Sequence, residues 1–218
     1  MDYSLARFNM VESQLRTNKI TSINIIEAMG QIPREMFVPK QISDLAYVDN
    51  DLMIAPGRYI MEPLVLARLL QEASVTKRDV VLDVGCTTGY ASAVLGELAG
   101  TVVGLEEDSD LCGAATELLN GIGADNVITV AGEMVSGYAR QSPYDVILFN
   151  GAIPFVPQTL TEQLAEGGRM VGVLCDPDDA IGRATIWLKL RGEVSSRVIC
   201  DASIPYLPGF QKSVDFKF

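Results

Sequence analysis

In the later part of this chain, apolar residues gather into short runs separated by amphipathic stretches. Val80-Val81-Leu82-Asp83-Val84 is nearly continuous, the pattern of a strand covered on both faces. Ala91–Leu98 follows with helical spacing, then Thr101–Leu105 as a second strand, Leu111–Leu119 as a second helix and Val127–Val130 as a third strand. Tyr144–Phe149 predicts the fourth strand, Pro157–Leu164 a helix after it, and Arg169–Leu174 the fifth strand. Ala184–Leu190 and Val194–Ala202 flank Arg191-Gly192-Glu193 and predict a hairpin. This alternation predicts an α/β fold: a Rossmann-like, doubly wound, mostly parallel sheet whose antiparallel edge is that hairpin. Its ligand crevice is expected beyond the carboxyl ends of the first, second and fourth strands.

The front of the chain has a different texture, a helical and loop segment from Met1 to about Glu72. Ile23–Met29 predicts an amphipathic helix behind a capping Ser22, and Pro33 stops it. Residues 39–56 read as loop. Glu62–Leu70 returns to helix, with Pro63 in the tolerant first turn. One domain is expected, composed of a front segment (1–72) and a sheet core (73–218).

Composition narrows the chemistry. Of 218 residues, 48% are hydrophobic and 21% charged, enough for a packed core. The net charge of −11 sets the chain against phosphate backbones and anionic lipid, so neither nucleic acid nor a membrane is expected as partner. Met1–Arg16 lacks the cationic start and apolar run of a signal peptide. Cys86, Cys112, Cys175 and Cys200 stand far apart with no C-x-x-C pair, which suits a reducing cytoplasm and no structural metal. The chain has no histidine, which excludes Ser-His-Asp and Cys-His nucleophile systems and histidine metal sites. Asp176-Pro177-Asp178-Asp179 reads as a solvated acidic loop rather than a cation site.

The candidate chemistry sits where the first strand ends. In Asp83-Val84-Gly85-Cys86-Thr87-Thr88-Gly89, Gly85 and Gly89 permit a tight turn and close approach of backbone to a ligand. The spacing fits neither the dinucleotide G-x-G-x-x-G nor the P-loop, whose lysine is missing. It resembles the class I methyltransferase motif acid-x-G-x-G-x-G, with Thr87 in place of the middle glycine. Glu106 ends the second strand about twenty residues beyond the turn, where a carboxylate accepts ribose hydroxyls. Glu107 and Asp108 read as an acidic turn or helix cap. Glu133, after the third strand, is either an adenine-side acid or a partner of a helix dipole. Cofactor contacts are thus expected from Asp83, Gly85, Cys86, Thr87, Gly89, Glu106 and Glu133. Acidic surroundings suit S-adenosylmethionine, which carries a sulfonium and an ammonium and no phosphate.

Beyond the motif, the chain resembles the protein-L-isoaspartate O-methyltransferase family. The blocks that carry the resemblance are Pro33-Arg34-Glu35-Met36-Phe37-Val38-Pro39, Ala46-Tyr47-Val48-Asp49, Val81–Tyr90, Tyr144-Asp145-Val146-Ile147, Ala152–Pro157 and Ile204–Gly209. The resemblance implies methylation of the free carboxylate of an isoaspartyl residue, the first step in repairing damaged protein. It also implies that the front segment covers cofactor and acceptor. A carboxyl group, which ordinarily loses its proton near pH ~4, is already ionised at neutral pH, so a chain without histidine needs no general base for this reaction.

One loop departs from the family. Where the family reads G-Q-T-I-S-Q-P, this chain reads Gly57-Arg58-Tyr59-Ile60-Met61-Glu62-Pro63. Met61 supplies only a thioether where the family has its acceptor-site serine. Two readings of this acceptor loop (Arg58, Tyr59, Ile60, Met61) follow. Either Arg58 grips the isoaspartyl carboxylate with its planar fork, or the acceptor has changed, for instance to a small molecule. A third possibility is a protein that binds the cofactor without transferring its methyl group. A surface position for Arg58 and Tyr59 is the plain alternative.

Overall fold

The computed structural model describes residues 1–210. Its centre is a seven-stranded sheet of β3 (Val80–Val84), β4 (Thr101–Glu106), β5 (Val127–Ala131), β6 (Tyr144–Ile153), β7 (Leu164–Leu174), β8 (Arg183–Leu190) and β9 (Glu193–Asp201). The strand order is β5-β4-β3-β6-β7-β8-β9. The first five of these strands run parallel, and β8 and β9 close the edge in antiparallel pairing. The doubly wound core and its edge hairpin are as expected. The direction of winding reverses between β3 and β6, which makes their carboxyl ends the switch point where such sheets bind ligands.

Alternation along β3 explains the layering. Val81 packs into one apolar cluster, with Val94, Leu95 and Val146, while Leu82 and Val84 pack into another, with Val103, Ile147 and Phe149. A strand hydrophobic at almost every position is therefore needed. The connecting helices are α3 (Pro63–Ala73), α4 (Tyr90–Leu98), α5 (Ser109–Gly121) and α6 (Gln158–Gln163). Trp187 lies edge-on to Phe149 with ring centroids 6.4 Å apart.

Two strand boundaries differ from expectation. β6 continues past Phe149 to Ile153, with a break in register between Leu148 and Ala152 that accommodates Asn150-Gly151. β7 begins at Leu164 rather than Arg169. The larger difference lies in the front segment. Two short strands, β1 (Leu52–Ala55) and β2 (Arg58–Ile60), form an antiparallel hairpin at the end of the stretch read as loop. Before it come α1 (Tyr3–Asn9) and α2 (Ile23–Gln31). Ser22 stands at the start of α2 as expected, but its side chain makes no capping bond.

Arg34 braces this front segment and sets it against a core ring. It is fully buried, donates from Nε to the Ala46 carbonyl (2.7 Å) and from Nη2 to the Met61 carbonyl (2.9 Å), and lies 4.6 Å from the Tyr90 ring centroid. Burial lowers its pKa from the ordinary value, and the neighbouring Tyr90 opposes that shift. Thr88, in the glycine turn, donates from its hydroxyl to the Phe37 carbonyl at 2.6 Å. The front segment thereby reaches the carboxyl ends of the central strands.

Candidate active site

The turn after β3 is fixed by β4. The Gly85 and Cys86 amides both donate to the Leu105 carbonyl, at 2.8 and 3.1 Å. Gly85 and Gly89 have φ of +79° and +93°, so both glycines occupy conformations that a side chain disfavours. Thr87 has φ +54°, a left-handed conformation unusual for a β-branched residue. That geometry gives a physical reason for glycine at the middle position of the motif. Here the strain is borne by a threonine whose amide donates to Glu106 Oε2 at 2.8 Å.

Glu106 is fully buried at the end of β4. Its Oε1 accepts from the Glu107 and Asp108 amides at 3.0 and 3.2 Å. Its Oε2 accepts from Thr87 and also from the Arg58 guanidinium, with which it forms a buried ion pair. Glu107 is exposed, and Asp108 caps α5 by accepting from the Asp110 and Leu111 amides at 2.9 and 3.1 Å. Glu106 thus differs from its neighbours in environment, being buried where Glu107 is exposed and Asp108 is a helix cap.

Asp83 is fully buried and accepts from the Ser92 hydroxyl at 2.5 Å and from the Asn150 amide. Burial pushes its carboxyl up to about 7, and Glu106 adds to that shift while the bonds from Ser92 and Asn150 oppose it. Cys86 is buried and its thiol is pushed well up by burial, so it is a packing residue at the turn. Glu133 is exposed and accepts from the Ser136 hydroxyl. Sequence reasoning gave no role to Asn150. Its position at the switch-point end of the fourth strand was the signal that could have found it.

The acceptor loop is less open than its sequence suggests. Arg58, Ile60 and Met61 are buried, and Tyr59 is half-buried. Arg58 is neither a surface residue nor aimed at free space: its guanidinium lies on Glu106, and its buried Nε has no hydrogen-bond partner among the described residues. Glu62, next in sequence, is pushed up to about 7 by burial and by the nearby carboxylates of Asp51 and Asp49.

The cofactor implied by the motif can be tested against this arrangement. The donor chemistry fits: a strand-end carboxylate beside a glycine turn suits ribose hydroxyls. The space is another matter. A Cβ built on Gly85 would lie 2.5 Å from Leu207 Cδ2, 3.3 Å from Arg58 Nη2 and 3.3 Å from Met134 Sδ. The chain's own side chains therefore occupy the volume over the turn. The cavity between Ile60, Met61, Thr87 and Asn150 holds about 10 Å³, room for one water at most. Roomier clefts of about 350 Å³ lie near Val75–Lys77 and Leu98, at the opposite end of the strands from Glu106.

Comparison with known proteins gives a consistent result. The family model described as protein-L-isoaspartate(D-aspartate) O-methyltransferase matches residues 6–178. A protein-L-isoaspartate O-methyltransferase of Koribacter versatilis is 40% identical over 176 residues, covering 81% of this chain and 79% of the relative. One of Methanoculleus marisnigri is 38% identical over 165 residues, covering 76% and 75%. Among solved structures, a protein-L-isoaspartate O-methyltransferase superposes with a TM-score of 0.82 at 25% identity, covering 94% of this chain and 67% of that one. A Plasmodium falciparum structure in complex with S-adenosyl-L-homocysteine shares the fold, with a TM-score of 0.79 at 18% identity and coverage of 93% and 98%.

Proposed function

Because this chain belongs to the protein-L-isoaspartate(D-aspartate) O-methyltransferase family, we propose that it transfers the methyl group of S-adenosylmethionine to the free carboxylate of isoaspartyl residues in damaged proteins. The observation that carries this reading is Glu106: a buried carboxylate at the end of β4, aligned by two backbone amides of its own turn and one of the glycine turn. When bound, S-adenosylmethionine supplies an electrophilic methyl on a good leaving group. The chain's contribution is placement.

Glu106 offers acceptors to ribose hydroxyls, Gly85 and Gly89 let the backbone approach, and Glu133 is the candidate acid for the adenine side. Asp83, held by Ser92 and Asn150, provides an acceptor beneath the turn. The Arg34 bond to the Met61 carbonyl ties the acceptor loop to the rest of the front segment, and the same guanidinium lies over the core's Tyr90 ring. Such positioning and the exclusion of water account for rate without a proton-transfer residue. An ionised carboxylate acceptor already carries its nucleophilic electron pair.

Met61 and Glu62 favour a second reading of the acceptor. Met61 is buried and brings no hydroxyl, and Glu62 with Asp51 places carboxyl groups beside the loop. Both features disfavour an anionic acceptor, so a small neutral or cationic molecule is the alternative substrate. Methyl-labelled cofactor, an isoaspartyl peptide, the wild type and Met61→Ser together distinguish the two. Turnover by the wild type supports isoaspartyl methylation, and Met61→Ser then preserves or raises the rate. Turnover by Met61→Ser alone assigns the wild type to another acceptor.

A further inference from the structure

The ion pair between Arg58 and Glu106 joins the acceptor loop to the carboxylate on which the cofactor reading depends. We propose that Arg58 is an internal occupant of the ribose site, and that the cofactor binds only as the β1–β2 hairpin withdraws this guanidinium from Glu106. The inference rests on the methyltransferase reading above.

Three independent features support it. First, Glu106 is saturated. Its two oxygens already take three backbone amides and Arg58, and only the guanidinium belongs to a side chain that can leave without unravelling the glycine turn. Second, the guanidinium stands in the way: its Nη2 is 3.3 Å from where a Gly85 Cβ would be, on the surface that a ligand must approach. Third, the closed arrangement is incompletely satisfied. Arg58 is only 6% exposed, yet its Nε donor has no partner among the described residues. A buried unmade hydrogen bond is costly, so the closed state holds Arg58 less firmly than a fork with every donor engaged would be held.

The hairpin is suited to this movement. β2 has three residues, pairs among the described residues only with β1, and its register to β1 is irregular between Met53 and Ala55. β1 and β2 form a separate two-stranded sheet, so Arg58 can be displaced without breaking a hydrogen bond of the seven-stranded sheet. The alternation Arg58 in, Tyr59 half-out, Ile60 in shows the guanidinium carried on the inward face of a short strand.

The energetic consequence is competition. A ligand that binds only the open state shows an apparent Kd raised by the inverse of that state's population. Removing the guanidinium removes the competitor. Arg58→Gln should therefore bind S-adenosylhomocysteine at least ~10-fold more tightly than the wild type in a calorimetric titration. Arg58→Met, which keeps the apolar stem and much of the volume, should behave likewise; circular dichroism before titration identifies the folded variants. In the wild type, saturating S-adenosylhomocysteine should accelerate amide exchange in β1–β2, a readout that needs no variant. Equal or weaker binding by both variants, with unchanged exchange in the wild type, overturns the proposal while leaving the methyltransferase reading intact. No binding by folded wild type or by either variant at millimolar ligand overturns both.

Discussion

At the scale of single residues, burial separates side chains that look alike in the sequence. Glu106 and Glu107 are adjacent acids, but one is buried in an ion pair and the other is exposed. Glu106→Ala would leave the Arg58 charge buried without its partner and should lower the unfolding free energy by about 3–5 kcal/mol. Glu107→Ala should change it by less than about 0.5 kcal/mol. Urea denaturation of the two variants checks the contrast, and equal effects would contradict the assignment. Asp83 adds a pH dependence. Its folded-state value is raised from 3.8 to about 7, so between these values the folded form binds more protons than the unfolded chain. Stability contributed through this group therefore falls as pH rises from about 4 to 7. The stability of Asp83→Asn relative to wild type should improve between pH 5 and pH 8, as followed by chemical denaturation; a constant difference would contradict it. The sequence marked both acids because strand ends and glycine spacing are local features. It did not show where Arg58 points, since that contact spans 48 positions. The alternation that turns Arg58 inward with Ile60 was present, but a three-residue strand is too short to declare a period.

At the scale of elements, the glycine turn is coupled to the segment that follows β9. The Leu207 amide donates to the Ala152 carbonyl at 2.9 Å, and the Ala152 amide to the Pro205 carbonyl at 2.9 Å, which fixes the Leu207 side chain over Gly85. Gly85→Ala should be destabilising for two reasons: its φ is +79°, and its Cβ would meet Leu207 at 2.5 Å. Leu207→Ala removes the second cause only. The cost of Gly85→Ala should therefore shrink by roughly 0.5–3 kcal/mol in the Leu207→Ala background. A double-mutant cycle of unfolding free energies measures this coupling, and strict additivity would contradict the packing. The parallel strands were legible because a strand buried on both faces writes a continuous apolar run. The β1–β2 hairpin was not. Its residues lie beside Pro56 and Gly57 in a stretch of mixed polarity, and it is held by contacts with the core rather than by its own pattern. The longer β6 and β7 extend beyond their apolar runs for the same reason: sheet pairing carries them through Asn150-Gly151 and Gly167-Gly168.

At the scale of the whole molecule, a sheet that supplies a carboxylate and a glycine turn is capped by a front segment that supplies the opposing charge. Arg34 braces that segment internally at Met61 and meets the core at Tyr90, while Arg58 extends from it to Glu106. No helix among the described residues is long and apolar enough to cross a membrane. The family relationship was legible along most of the sequence, and the family model matches residues 6–178; the closure of the site was not, because it arises from three distant segments meeting over one turn. The central claim is that this arrangement, once opened, methylates isoaspartyl carboxylates. Its most direct test is transfer from methyl-labelled S-adenosylmethionine to an isoaspartyl peptide and to its aspartyl twin, catalysed by the wild-type chain. The account predicts a base-labile methyl ester on the isoaspartyl peptide and almost none on the twin. Equal labelling of both, or of neither by a chain that binds the cofactor, would contradict it.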